Sequence, residues 1–140
     1  MLPAVDGCVF CAVADGTAPA VIVLDEPEVL AFLDLRPVFP GHVLVIPRAH
    51  HETLVDLPEA LLPVVFQAAR RVSGAVVDGL GADGTFIGIN NKVSQSVAHL
   101  HVHVVPRRFK DGLRGFFWPR QRYGSEEEMA SVARSIRAKL

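Results

Sequence analysis

The chain has 140 residues, the length of one domain, and half of them are hydrophobic. Its 15 acidic and 14 basic residues leave a net charge of −1, which excludes a globally basic surface for nucleic acid polymers or acidic membranes. Mean hydropathy is +0.31, yet no apolar run of about 18 residues exists. The N-terminus carries no basic residue ahead of its apolar part, so no signal peptide is predicted. We expect one cytoplasmic domain over residues 1–140.

Five short segments have the composition of β-strands. They are rich in apolar and β-branched residues and are bounded by Gly, Pro or acidic residues: Val21–Leu24, Val29–Leu33, His42–Ile46, Thr85–Ile89 and Leu100–Val105. The Asp25-Glu26-Pro27 turn between the first two predicts a hairpin.

Two segments have helical periodicity. Residues 57–80 carry apolar side chains at a spacing close to 3.6, and Gly79 and Gly81 can end this helix. Pro63 is unfavourable inside a helix, so the helix is expected to begin later or to bend there. Residues 125–140 open with a capping box at Ser125. The order β-β-β-α-β-β-α predicts an α+β fold with a mostly antiparallel sheet of about five strands and two main helices.

Half of the six histidines lie in one alternating run. In an extended strand His99, His101 and His103 would face one side, while Leu100, Val102 and Val104 would face the core. A neutral imidazole can attack phosphorus, and a neighbouring imidazole can stabilise the developing charge. The same spacing could bind a metal, so the spacing alone leaves both chemistries open.

The run and its surroundings resemble the histidine triad family of nucleotide hydrolases and transferases. The matching segments are His99-Leu100-His101-Val102-His103-Val104-Val105, Gln95-Ser96-Val97, Ala31-Phe32-Leu33-Asp34 and Gly41–His50. The likeness extends over about residues 8 to 118, so the predicted domain is a single histidine triad domain. It implies a five-stranded antiparallel sheet with helices and a homodimer formed by strand pairing.

The resemblance also implies site residues and substrates. His101 would form a nucleotidyl-histidine intermediate, and His103 would contact phosphate. Asp34 would hold the ribose hydroxyls, whereas Asn90, Gln95 and Ser96 would lie in a phosphate-contacting loop. The implied substrate is a purine nucleotide derivative, either a nucleoside phosphoramidate or a dinucleoside polyphosphate, cleaved at the α-phosphorus. The loop departs from the family pattern, because Ser94 stands where many members have glycine and residues 90–94 form a shorter segment.

Cys8 and Cys11 form a CxxC pair, which alone is consistent with a metal site, a redox site or chance. By resemblance, the pair would bind zinc together with His50 and His99, and no organic cofactor is expected. His42 and the remaining histidine, His51, are predicted to be surface residues.

Two other functions fit the sequence. A metal-dependent hydrolase could use His101 and His103 as ligands, with His51 or Asp34 as a third. A non-catalytic module could bind nucleotide without turnover. Phe10 and Phe32 are the aromatic candidates for stacking on a base, and Phe116-Phe117-Trp118 is predicted to be core or a dimer contact.

Overall fold

The computed structural model describes residues 4–113 and 120–140. The aromatic segment Phe116-Phe117-Trp118 lies outside the described residues. The chain divides into two compact units, Met1–Phe109 and Lys110–Leu140.

The described part of the first unit contains one antiparallel sheet of five strands. Its strands are β1 (Ile22–Asp25), β2 (Val29–Leu33), β3 (Val43–Pro47), β4 (Gly84–Ile89) and β5 (Val102–Arg107). Their order in the sheet is β1-β2-β3-β5-β4, and β1 and β2 form the predicted hairpin. The predicted fold class is confirmed.

The helices of this unit are α1 (Val9–Ala14), which the sequence analysis did not predict, and α2 (Leu62–Leu80). Two 3₁₀ turns, Leu54–Asp56 and Glu59–Leu61, precede α2, so Pro63 falls in its first turn as the later start predicts. Gly81 ends α2 with φ +64°, a left-handed conformation that glycine adopts without strain. By length and composition alone Glu59–Leu80 could span a membrane, a property that core helices share, and α2 packs on the sheet.

The strands alternate between two apolar clusters. Val43, Val45, Val102 and Val104 point into the cluster that α2 covers. Leu44 points to the opposite face, in a cluster completed by Leu30, Phe32, Ile46, Phe10 and Val13. Because Leu44 is the cross-strand partner of His103, that histidine lies on the face that α1 covers.

The histidine run differs from its predicted form. β5 begins at Val102, after His99 and His101, because Leu100 donates its N–H to the His51 carbonyl, 2.7 Å away, rather than to a strand. β5 extends two residues beyond the predicted end at Val105, so Pro106 lies inside it. It is tolerated there because β3 pairs only with residues 102–104, so the missing N–H removes no ladder bond on that side.

The second unit contains α3 (Glu126–Arg137). Ser125 caps it by accepting a hydrogen bond from the Glu128 N–H at 3.0 Å, and Glu128 accepts one from the Gly124 N–H. The helix ends three residues before the predicted Leu140, with Arg134 and Arg137 near its negative end.

Candidate active site

The triad histidines lie beside a cavity of about 430 Å³ on the α1 face of the sheet. His101 and His103 line it, with ring centroids 4.9 Å apart. His101 is 2% exposed, and His99 is completely buried. His101 and His103 therefore face a recess rather than open solvent, and His99 does not line it.

His101 is held in the tautomer that a nucleophile needs. Its Nδ1–H donates to the His99 carbonyl oxygen at 2.7 Å, which leaves a lone pair on Nε2. Burial lowers the pKa of His101 below its ordinary value, although the His99 carbonyl and Asp34 act in the opposite direction. The imidazole is therefore neutral at neutral pH.

His42 is not a surface residue, and the prediction for it was wrong. It is 3% exposed, and its Nε2 lies 2.9 Å from His103 Nδ1. Its Nδ1 accepts from the Val38 N–H at 3.1 Å, so the proton must be on Nε2 and is donated to His103. His42 shares strand parity with Leu44, the partner of His103, and this was the signal that could have revealed its position. The positive φ of Gly41, +97°, forms the turn that precedes it.

The hydrogen bond from His42 fixes the tautomer of His103. Since Nδ1 of His103 accepts, its proton is on Nε2. Among the described residues, His103 Nε2 is a buried side-chain polar atom without a hydrogen-bond partner. Burial, with added repulsion from His101 and His42, lowers the pKa of His103 to about 4. The neutral ring thus presents an unused N–H donor next to His101.

The remaining cavity lining combines two kinds of surface. Asp34, Arg36 and Ser96 are its polar members. The apolar part is formed by Val9, Phe10, Val13, Pro19, Ala20, Phe32, Leu33, Leu35, Leu44 and Val97. An apolar wall with a few convergent polar groups is typical of small-molecule sites. The Phe10 ring packs in a T-shaped arrangement against the rings of His101 and Phe32, with centroids 5.0 Å and 5.3 Å apart.

Asp34 is hydrogen-bonded to His42, the residue that orients His103. Its backbone N–H donates to the His42 carbonyl at 2.9 Å, and its Oδ1 accepts from the Arg36 N–H at 2.9 Å. Its Oδ2 lies 3.7 Å from His42 Nδ1. That nitrogen already accepts from Val38, so the two groups are neighbours rather than a charged pair.

The three residues of the loop after β4 that were predicted to contact phosphate, Asn90, Gln95 and Ser96, have different surroundings. Ser96 lines the cavity, while Asn90 is exposed and is not part of the described lining. The Gln95 side chain accepts from the Lys92 N–H of the same loop at 2.8 Å and donates to the carbonyl of Glu52, outside that loop, at 2.6 Å. The roles of these residues in ligand binding stay predictions.

Cys8, Cys11, His50 and His99 form a second cluster, with one potential ligand atom from each residue within 4.8 Å of the others. The Sγ–Nδ1 distances are 3.5 Å for Cys8–His99, 3.6 Å for Cys11–His99 and 3.3 Å for Cys11–His50. In a tetrahedral zinc site, bonds of about 2.3 Å to sulfur and 2.0 Å to nitrogen place these atoms about 3.5 Å apart. The spacing therefore fits zinc.

The protonation of His99 fits the same site. Its Nε2 lies 2.8 Å from the Pro47 carbonyl, which can only accept, so the proton is on Nε2 and Nδ1 is left with a lone pair. Nδ1 is the atom that faces both sulfurs. Orientation of a ligand imidazole by a backbone carbonyl is common at metal sites.

Asp34, His42 and His103 also meet the distance criterion for a metal cluster. Two imidazole nitrogens bound to one tetrahedral zinc ion lie about 3.3 Å apart. His42 Nε2 and His103 Nδ1 are 2.9 Å apart, which is a hydrogen-bond distance. This geometry favours the hydrogen-bonded chain.

A family model, described as the HIT domain, matches residues 15–110. The chain belongs to the HIT family. This HIT protein is 33% identical over 138 residues to the Bacillus subtilis protein hit, covering 96% of this chain and 95% of that one. It is 29% identical over 135 residues to the Schizosaccharomyces pombe protein named adenosine 5′-monophosphoramidase hnt1, covering 95% and 98%. An Arabidopsis thaliana relative named adenylylsulfatase HINT3 is 32% identical over 76% of this chain and 55% of its own length.

Solved structures agree with this assignment. A HIT family member from Bacillus subtilis matches with a TM-score of 0.84 and 32% identity, over 96% of this chain and 98% of that chain. A structure described as a zinc-bound histidine triad family protein from Mycobacterium smegmatis matches with a TM-score of 0.73 and 37% identity, over 94% and 97%. At family level, the HIT protein is a nucleotide hydrolase.

Proposed function

We propose that this HIT protein cleaves a purine nucleoside phosphoramidate or a dinucleoside polyphosphate at the α-phosphorus, through a nucleotidyl-histidine at His101. The observation that carries the proposal is the pair of imidazoles with fixed, complementary tautomers. His101 has a lone pair on Nε2, and His103 has a buried N–H that no other described residue satisfies. A substrate with an electrophilic phosphorus and phosphoryl oxygens satisfies both atoms.

In the first step His101 Nε2 forms a bond to the α-phosphorus, and the bond from phosphorus to the leaving nitrogen or bridging oxygen breaks. The leaving group takes the bonding pair, and an amine takes a proton from water. His103 Nε2–H donates to a phosphoryl oxygen as its charge grows. The adduct is an imidazolium, and its Nδ1–H remains bonded to the His99 carbonyl.

In the second step water attacks the phosphorus from solvent. The bond from phosphorus to His101 Nε2 breaks, a nucleoside monophosphate leaves, and the proton of the attacking water is released. His101 returns to its neutral form. A different acceptor in place of water gives nucleotidyl transfer.

The ligand is oriented by the two kinds of surface in the cavity. The base packs against the apolar wall, where Phe10 and Phe32 are the aromatic side chains. The Asp34 carboxylate accepts from ribose hydroxyls, and the Ser96 hydroxyl donates to phosphate. The names of the yeast phosphoramidase and the plant adenylylsulfatase support a substrate with an adenosine 5′-phosphoryl group.

Intact mass spectrometry tests the covalent step. The protein is mixed briefly with an adenosine phosphoramidate and quenched in mild alkali. The parent chain and a His51→Asn control are expected to gain one adenylyl group, and His101→Asn is expected to gain none and to lose turnover. An adduct on His101→Asn, or nucleotide binding with neither adduct nor turnover in the parent, would contradict the proposal. The second of these results would favour a binding module.

A metal-dependent hydrolase is the second candidate, because Asp34, His42 and His103 bring three potential ligand atoms within 4.8 Å of one another, although the 2.9 Å between His42 Nε2 and His103 Nδ1 favours a hydrogen bond. Turnover that is lost in a metal-stripped, folded preparation, with no adduct on His101 before stripping, would favour that function. Adduct formation after stripping would exclude it.

We propose further that Cys8, Cys11, His50 and His99 hold a structural Zn²⁺ ion. The Sγ–Nδ1 distances and the unprotonated Nδ1 of His99 support this, as does the zinc-bound mycobacterial relative. A bound Zn²⁺ would join α1 to the segment before β5 and would supply no reacting group, since four protein ligands close the site. Elemental analysis is expected to give about one zinc per chain, lost in Cys11→Ser; no zinc in the parent would contradict it.

We propose a cytoplasmic homodimer that binds neither membrane nor nucleic acid polymer. Within the part of the chain that the structure describes, β4 forms one edge of the sheet, and an edge strand is the place where strand pairing with a second copy would occur. Light scattering after size exclusion is expected to give about twice the chain mass.

A further inference from the structure

We infer that the Cys8, Cys11, His50 and His99 centre sets the shape of the nucleotide pocket through α1, so that nucleotide affinity depends on whether the centre holds its metal. This inference rests on the proposed zinc site and the proposed nucleotide binding. It assigns the centre a regulatory effect on ligand binding in addition to holding the fold.

The first support is the dependence of α1 on its contacts. α1 has only six residues, too few to be stable as an isolated helix, and carries no acidic residue in its first turn or basic residue in its last. Its cap is Cys8, whose Sγ accepts from the Cys11 N–H at 3.3 Å. A thiol is a weak acceptor, so this cap contributes little without the metal.

The second support is what α1 carries. Cys8 and Cys11 provide half of the metal-binding donors, and Phe10 lies between them in the chain. The same helix contributes Val9, Phe10 and Val13 to the cavity wall. A shift of α1 therefore moves metal ligands and pocket wall together.

The third support is the position of Phe10. Its ring is buried and packs in T-shaped geometry against the rings of His101 and His99, with centroids 5.0 Å and 6.0 Å away. His99 in turn supplies a donor to the centre and its carbonyl to His101. Two short routes, one through Phe10 and one through the His99 backbone, connect the centre to the nucleophile.

Coupling between the zinc centre and the nucleotide pocket must be reciprocal. If the metal preorganises the pocket, zinc raises the affinity for a nucleotide by some factor, and the nucleotide raises the affinity for zinc by the same factor. We expect a factor of about 5 or more, the lower end of ordinary coupling between sites.

The experiment uses the full chain and adenosine 5′-monophosphate (AMP) as the probe. Calorimetry gives the AMP dissociation constant for zinc-loaded and metal-stripped protein, with circular dichroism as the check on folding. Competition with a chromophoric chelator gives zinc affinity with and without AMP. Weaker AMP binding after stripping, with an equal gain in zinc affinity from AMP, supports the inference. Equal AMP affinity in both folded forms would overturn it.

A second variant keeps the test valid if the stripped protein unfolds. In Phe10→Leu the coupling, measured by chelator competition as the ratio of zinc affinities with and without saturating AMP, is expected to fall, because only the route through the His99 backbone remains. Phe66→Leu makes the same change at an exposed position on α2 and is expected to leave the coupling intact. Undiminished coupling in Phe10→Leu would overturn the assigned route. Absence of AMP binding in the loaded parent would overturn the proposed function itself.

Discussion

Ser94 adopts a backbone conformation that suits glycine. Its φ is +60°, and many histidine triad proteins have glycine at this position. A non-glycine residue in the left-handed region costs about 1–2 kcal/mol. Glycine avoids this cost, but part of the gain is lost because glycine gives the unfolded chain more conformational entropy. Ser94→Gly is therefore expected to raise the free energy of unfolding by roughly 0.5–1 kcal/mol in urea titration. Val93→Gly, next to it but without a positive φ, is expected to lower it, and the same sign for both variants would contradict the argument.

His42 is a positioning residue, because it acts on the substrate only through His103. His42→Leu removes the donor that fixes the His103 tautomer and is expected to lower turnover of an adenosine phosphoramidate about 10- to 100-fold, as loss of an orienting partner does elsewhere. His42→Gln, which keeps an N–H donor, should recover part of the rate. Nitrogen NMR of His103 is expected to show mixed tautomers in His42→Leu alone. An unchanged tautomer would refute the orienting role even if the rate fell.

At the scale of elements, a glycine inside α2 and the glycine that caps it, Gly74 and Gly81, have opposite effects on stability. Gly81 ends the helix with φ +64°, whereas Gly74 lies within it and has open space where a Cβ would stand. Gly81→Ala is expected to cost about 1 kcal/mol of unfolding free energy, and Gly74→Ala is expected to add a similar amount. Thermal unfolding of both variants beside the parent measures this. A Gly81→Ala chain as stable as the parent would show that the left-handed cap does not require glycine for its stability.

Local patterns predicted the strands and α2, and their failures have physical causes. α2 and the β1–β2 hairpin have clear periodicity and turn residues, and both are confirmed. α1 was missed because six residues around a CxxC pair carry no helical signal. Its place in the structure comes from tertiary contacts, which a single segment does not encode.

At the scale of the whole molecule, the sequence indicated the triad but not its surroundings. The alternation of His99, His101 and His103 was enough to predict a histidine cluster. The contact between His42 and His103 joins residues 61 positions apart and depends on the pairing of β3 with β5. That pairing is a property of the sheet order, which the sequence analysis left open.

The same pairing makes the stability of the whole chain depend on pH. Burial first, and then His101 and His42, lowers the pKa of His103 to about 4, whereas an exposed histidine titrates near 6.5. Burial also lowers the pKa of His42. Between these pH values the unfolded chain binds protons that the folded chain does not. The contribution of these histidines to the free energy of unfolding is therefore complete above pH 6.5 and is lost as the pH falls toward 4.

Urea unfolding between pH 7.5 and 5, with zinc content matched, measures this dependence. Each such histidine contributes at most about 1.4 kcal/mol per pH unit. His103→Gln removes one of the buried histidines whose pKa is lowered, and it is expected to unfold with a smaller slope against pH than the parent. Equal slopes would mean that His103 takes up its proton in the folded state near its ordinary pKa, and the neutral Nε2–H donor assigned to the site would then be charged at mildly acidic pH.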